Sequence, residues 1–96
     1  MKLLHITVQF QYADVIERML ESRGVREMVR HPRIVGHDSD GWHDGSQAFP
    51  GHMAAVHAQV DDGAVDEILD DLRRFRDQKP AHGHLCAAVL PIETTL

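Results

Sequence analysis

The sequence predicts an α+β domain of order β-α-β-β-α-β, folded as a ferredoxin-like plait. Three observations lead there. Four runs carry a strand period and two carry a helical period. The helical runs sit one in each half of the chain, between strands, as two such units sharing one sheet require. A polar stretch from Gly36 to His52 with neither period separates the two middle strands.

The elements follow in order. Leu4, Ile6, Val8 and Phe10 alternate with His5, Thr7 and Gln9, a half-buried strand. Tyr12, Val15, Ile16, Met19 and Leu20 then fall at helical spacing, and Gly24 stands where that helix should end. Glu27 to Val35 is a strand interrupted by His31-Pro32, which predicts a sheet edge or a bulge. Beyond the polar stretch, Ala54, Val56, Ala58 and Val60 alternate with Met53, Ala55, His57 and Gln59. Asp61-Asp62-Gly63 is a turn with Asp62 as the expected helix cap. Val65, Ile68, Leu69, Leu72 and Phe75 recur at three and four, with acids early and arginines late, an order that suits the helix dipole and a solvated face. Gln78 to Gly83 breaks that helix, and His84 to Pro91 is the last strand. Glu93 to Leu96 is expected to fray.

With both helices on one sheet face, the other face would carry Leu3, His5, Thr7, Gln9, Met53, Ala55, His57, Gln59, Ala88 and Leu90. That set is too apolar for open water and too polar for a dry core. It suits packing against another copy of the chain. At 96 residues the chain makes one domain, 1–96, small enough to gain from association.

Composition excludes several classes. A formal charge of −5 argues against nucleic acid as a partner. No apolar run reaches the ~20 residues that cross a bilayer, so direct membrane insertion is not expected. The first residues lack a signal-type apolar block, and a cytoplasmic location is expected. The single cysteine, Cys86, leaves no intrachain disulfide and is expected to be a small core residue. No nucleophile has an evident base and no glycine-rich phosphate motif precedes a helix, so no enzyme activity is expected.

Eight histidines are the compositional oddity. One constellation is His37, Asp38, Asp40, His43, Asp44 and His52 in the polar stretch. Imidazole and carboxylate suit Zn, Ni, Co or Cu(II), with His37, His43 and His52 the expected metal ligands. Metal would order the stretch and a partner would read it. The other reading is a solvated loop that binds nothing. His5 and His57 lie on the polar face of adjacent strands, as a site on a symmetry axis or as hydrogen-bonded packing. His82-Gly83-His84 with Lys79 and Arg33 could hold a phosphate or carboxylate, or be a plain turn. Trp42 and Phe49 are aromatic handles for a partner.

Several residues carry a resemblance. They are Pro32-Arg33-Ile34-Val35-Gly36 before the polar stretch, Phe49-Pro50-Gly51-His52 after it, Val60-Asp61, Ile68-Leu69-Asp70-Asp71-Leu72, and Gly83-His84-Leu85 with Val89-Leu90-Pro91-Ile92-Glu93. In their spacing the chain resembles the PII signal-transduction superfamily, in particular its short PII-like members. The resemblance implies a homotrimer with the polar sheet faces inward. It implies that Gly36 to Gly51 corresponds to the T-loop, which reaches partners, and that Lys79 to His84 corresponds to the B-loop. It further implies an adenine nucleotide, ADP or AMP, in the cleft between subunits. Arg33, Gly36, His37, Lys79, His82, Gly83 and His84 are then the expected ligand-binding residues. The chain departs from triphosphate-binding members, because its last strand carries no lysine or arginine, and its polar stretch has no tyrosine to modify.

The expectation is therefore a trimeric PII-like sensor that binds a small ligand and contacts a transporter or enzyme. A histidine-based divalent-metal-binding or metal-tolerance protein is the alternative. A third reading, an enzyme of small aromatic substrates, would need a buried pocket beneath the sheet.

Overall fold

The computed structural model describes residues 1–43 and 52–96. Asp44, the handle Phe49 and the Phe49-Pro50-Gly51 part of the resemblance lie outside the described residues.

Strand β1 (Lys2–Gln9) buries Leu4, Ile6 and Val8 on alternate positions. A single 3-10 turn leads into α1 (Ala13–Ser22), whose inward stripe is Ala13, Ile16 and Leu20. Gly24 ends that helix as expected. Its φ of 82° is the left-handed conformation that favours glycine, and its N–H donates to Glu21 O while Val25 N–H donates to Leu20 O.

β2 (Met28–Ile34) is an edge strand whose register shifts between His31 and Ile34, the place where Pro32 removes a ladder donor. The polar stretch then departs from expectation. Its first part is a hairpin of β3 (Gly36–Asp38) and β4 (Gly41–His43) in a sheet of its own. β5 (Met53–Val60) returns to the main sheet, α2 (Val65–Asp77) follows, and β6 (Cys86–Pro91) closes the order. The main sheet runs β2-β5-β1-β6, antiparallel at every pairing. That is the plait the sequence predicts.

Both helices cover one face, and their stripes meet Leu4, Ile6, Val8, Val56, Ala58 and Val60 in one core. Charge pairs tie the helices down. Arg23, just past α1, holds Asp71 of α2 at 2.7 and 2.9 Å and reaches Glu67 at 3.2 Å. Arg30 of β2 bonds to Glu17 and Asp14 of α1.

Two expectations are corrected. Asp62 does not cap α2, because the helix is entered through a 3-10 turn with Ala64 already helical; Asp62 instead lies 2.6 Å from the Met1 amino group. Cys86 is not a core residue. It is exposed and pairs with Thr7 on the sheet face away from the helices.

That open face carries a histidine row. His5 of β1 lies directly opposite His57 of β5, ring centroids 4.8 Å apart, and His31 of β2 meets the same His57 ring edge-on at 5.1 Å. Desolvation pushes the His57 imidazole below its ordinary pKa, and His5 and His31 add to this. Val29, opposite His57, and Leu90, opposite Leu3, leave 57% and 45% of their surfaces exposed beside that row.

Candidate functional site

The site grows from the hairpin turn. β3 and β4 pair as Gly36↔His43, His37↔Trp42 and Asp38↔Gly41, leaving Ser39-Asp40 as the turn. Gly41 adopts φ 109°, which favours glycine. Asp38 Oδ1 accepts the Asp40 N–H at 2.8 Å, the Asx pattern by which aspartate stabilises a turn.

The other oxygen of the same carboxylate has a second role. Asp38 Oδ2 accepts from His43 Nε2 at 2.8 Å, across the hairpin, and from His84 Nδ1 at 2.7 Å, from the segment just before β6. Because a carboxylate only accepts, both rings must present their N–H there. His84 Nε2 faces Asp40 Oδ2 at 3.6 Å. The two imidazoles meet edge-to-face with centroids 4.5 Å apart. His43 is buried, and His84 and Asp38 are half-buried. Hydrogen bonds from His43, the Asp40 amide and His84 hold the Asp38 carboxyl well below the usual carboxylate range, so it is ionised at neutral pH.

These groups open on a cleft of about 160 Å³ lined by Thr7, Ile34, Gly36, His37, Asp38, His43, Met53, His84 and Cys86. Its chemistry is one fixed negative charge, three imidazoles and an apolar floor. Among the described residues, Asp38, His43 and His84 place donor atoms within 4.8 Å of one another, a set that could hold a metal.

The structure brings some of the expected site residues together and separates others. Gly36, His37, His43 and His84 share this cleft. His37 is exposed and sets its ring edge-on to Trp42 at 5.1 Å. His52 supplies its carbonyl to Phe10 N–H at 2.8 Å. Arg33 stands over the Phe10 ring at 5.5 Å. Lys79 and His82 line a different cleft, about 640 Å³ and widely open, with Tyr12, Phe75 and Arg74. His82 is buried there, its Nδ1–H donating to Phe75 O at 2.6 Å and its ring stacked on Phe75 at 3.8 Å. Gly83 is exposed in the turn before His84 and close to the Pro80 carbonyl.

Asp38 is the residue that sequence reasoning underrates. It belongs to the acid–histidine constellation, but nothing local reveals that it also meets His84. The Asp-Ser-Asp-Gly run is the available signal, since aspartate two residues before a turn amide forms such turns.

No family model matches the sequence, and no curated protein matches it. Solved structures do. The fold is the PII-like fold. CPII from Thiomonas intermedia K12, a nitrogen regulatory PII-like protein, superposes with TM-score 0.76 at 20% identity in a structure bound to ADP, AMP and bicarbonate, covering 92% of this chain and 81% of that one. Its form bound to ADP, AMP and acetate gives TM-score 0.78 at 18% identity, over 99% and 88% of the two chains. A PII-like signalling protein from Thermus thermophilus gives 0.66 at 15% identity, over 92% and 82%. Among the described residues no helix is long and apolar enough to cross a membrane.

Proposed function

We propose that this chain is a PII-like regulatory protein and not an enzyme. It assembles as a homotrimer through the open sheet face, takes a small ligand at the root of the 36–52 arm, and presents that arm to a transporter or an enzyme. The observation that carries this reading is the Asp38 clasp. One carboxylate ties the hairpin at the root of the arm to the head of β6, so whatever binds beside it changes how the arm is held.

The solved structures of CPII with ADP, AMP and bicarbonate support a small-ligand role. Size supports placing a nucleotide between copies. A cleft of about 160 Å³ within one chain is below the roughly 300–1,000 Å³ of pockets that enclose organic ligands. A nucleotide would need walls from a second copy, with Arg33, Gly36, His37, Lys79, His82, Gly83 and His84 as the proposed contacts. The absence of lysine and arginine from β6 favours ADP or AMP over a triphosphate.

Light scattering and calorimetry with ADP, AMP and bicarbonate test the reading. The expected result is three chains per particle and saturable heat with at least one of these ligands or with a metal salt. A monomer that binds none of them contradicts it. Val29→Asp, on the open sheet face, should break the assembly without unfolding the chain.

A further inference from the structure

We propose that Asp38, His43 and His84 bind a divalent transition-metal ion that closes the arm root onto the head of β6. The inference rests on the reading of that root as the ligand site, and it names the ligand. The donors are two imidazole nitrogens and one carboxylate oxygen, all within 4.8 Å of one another. Four-coordinate zinc places nitrogen and oxygen ligands at about 2.0–2.2 Å, which sets neighbouring donors roughly 3.3 Å apart. Asp38 Oδ2 now sits 2.8 Å from His43 Nε2 and 2.7 Å from His84 Nδ1. An ion would need these two contacts to widen by about half an ångström, a rotamer-scale adjustment rather than a refolding.

Charge sign decides between ion classes. Asp38 places a carboxylate oxygen at the centre of the cluster, 2.8 and 2.7 Å from the two rings, and an anion such as bicarbonate would meet that oxygen at contact range. A cation would be attracted. The nitrogen content decides which cation, because two imidazoles and a carboxylate suit Zn, Co, Ni or Cu(II), whereas Mg and Ca favour all-oxygen sets.

The surroundings fit the same chemistry. An ion on His84 Nδ1 requires the ring proton on Nε2, and Nε2 already faces the Asp40 carboxylate at 3.6 Å. A carboxylate behind a ligating histidine is the usual support for such a ligand. The proton leaves one ring nitrogen and is carried on the other, so the imidazole stays neutral. Water from the open cleft can complete the coordination. Two ligands come from the hairpin and one from the segment before β6, so the ion would cross-link arm to body.

The test uses tag-free, chelator-treated full chain titrated with Co(II), read by visible absorbance, and with Zn(II), read by calorimetry. Wild type is expected to take about one ion per chain with the strong d–d bands of four-coordinate cobalt. Asp38→Asn and His84→Gln should each weaken binding at least about tenfold, with circular dichroism unchanged. His57→Gln, in the histidine row on the open sheet face, should leave binding unchanged. The proposal is overturned if wild type binds neither metal, if both site variants bind like wild type, or if binding is lost with His57→Gln. Calorimetry with ADP on the same samples separates this from the regulator reading. A trimer that binds ADP but no metal sinks only the metal site. A monomer that binds metal and nothing else sinks only the regulator.

Discussion

Asp38 and His84 lie 46 residues apart in the chain, yet the carboxylate of one accepts a 2.7 Å hydrogen bond from the ring of the other. This contact joins two things the plait would otherwise leave independent: a two-stranded hairpin with its own small sheet, and the strand that closes the main sheet. Short isolated hairpins are marginal in water, so the hairpin depends on such ties. Asp38→Ala should therefore speed amide exchange across residues 36–43 by about tenfold or more, since roughly 1.4 kcal/mol of local opening is a factor of ten. Exchange in β1 and β5 should not change. Equal acceleration throughout the sheet would show that the clasp supports the whole fold instead.

The histidine row makes the open face sensitive to acid. His57 is held below its ordinary pKa by desolvation, with His5 of β1 and His31 of β2 adding to this. The unfolded chain then binds more protons than the folded one just below pH 6.5. Stability contributed by neutral His57 is present above about pH 6.5 and is lost as pH falls through its lower folded value. Thermal melts should drop between pH 7.5 and the acid side of about 6, and His57→Gln should flatten that part of the profile. An unchanged slope in the variant would assign the titration elsewhere.

Asp71 should show acid loss in a lower window. Arg23 holds its carboxyl below the ordinary value, with Arg74 adding to this. Stability from that pair is present above about pH 4 and fades as pH falls through the depressed folded value. Asp71→Asn should lower Tm by on the order of a few degrees at neutral pH, with the difference from wild type vanishing in strong acid. A constant offset at every pH would mean that packing, not charge, is lost.

His82 and Lys79 separate packing from binding. His82 is buried, stacked on Phe75 and bonded to the Phe75 carbonyl, so His82→Ala leaves a cavity and removes one of the hydrogen bonds that this carbonyl accepts, the Gln78 N–H remaining at 3.2 Å. It should cost about 2–3 kcal/mol in denaturant unfolding. Exposed Lys79→Ala should stay within about 0.5 kcal/mol of wild type. Loss of nucleotide heat in Lys79→Ala without loss of stability would place Lys79 in the ligand site.

The fold is legible because its signals are local and periodic. Leu4, Ile6 and Val8 announce one strand, Ile68, Leu72 and Phe75 one helix, and Gly24 one helix end, each within a window of a few residues. Pro32 marks the edge strand through a missing donor. The site is half legible. His43 and His84 stand out by residue type, but what joins them is a side chain already engaged in its own turn, and a contact across 46 residues leaves no local pattern. The β3–β4 hairpin escapes because three-residue strands are too short to show a period. Cys86 misleads because residue type suggests burial while its strand position turns it to the open face.

The central claim is that a small ligand docking at the Asp38–His84 junction changes how the arm is held. Hydrogen–deuterium exchange of the full chain, with and without saturating Zn(II) and with and without ADP, tests it most directly. The account predicts that at least one of these ligands slows exchange together in the 36–43 hairpin and the 82–86 segment, while α1 and α2 stay unchanged. Ligand bound at saturation with no change in either segment would contradict it.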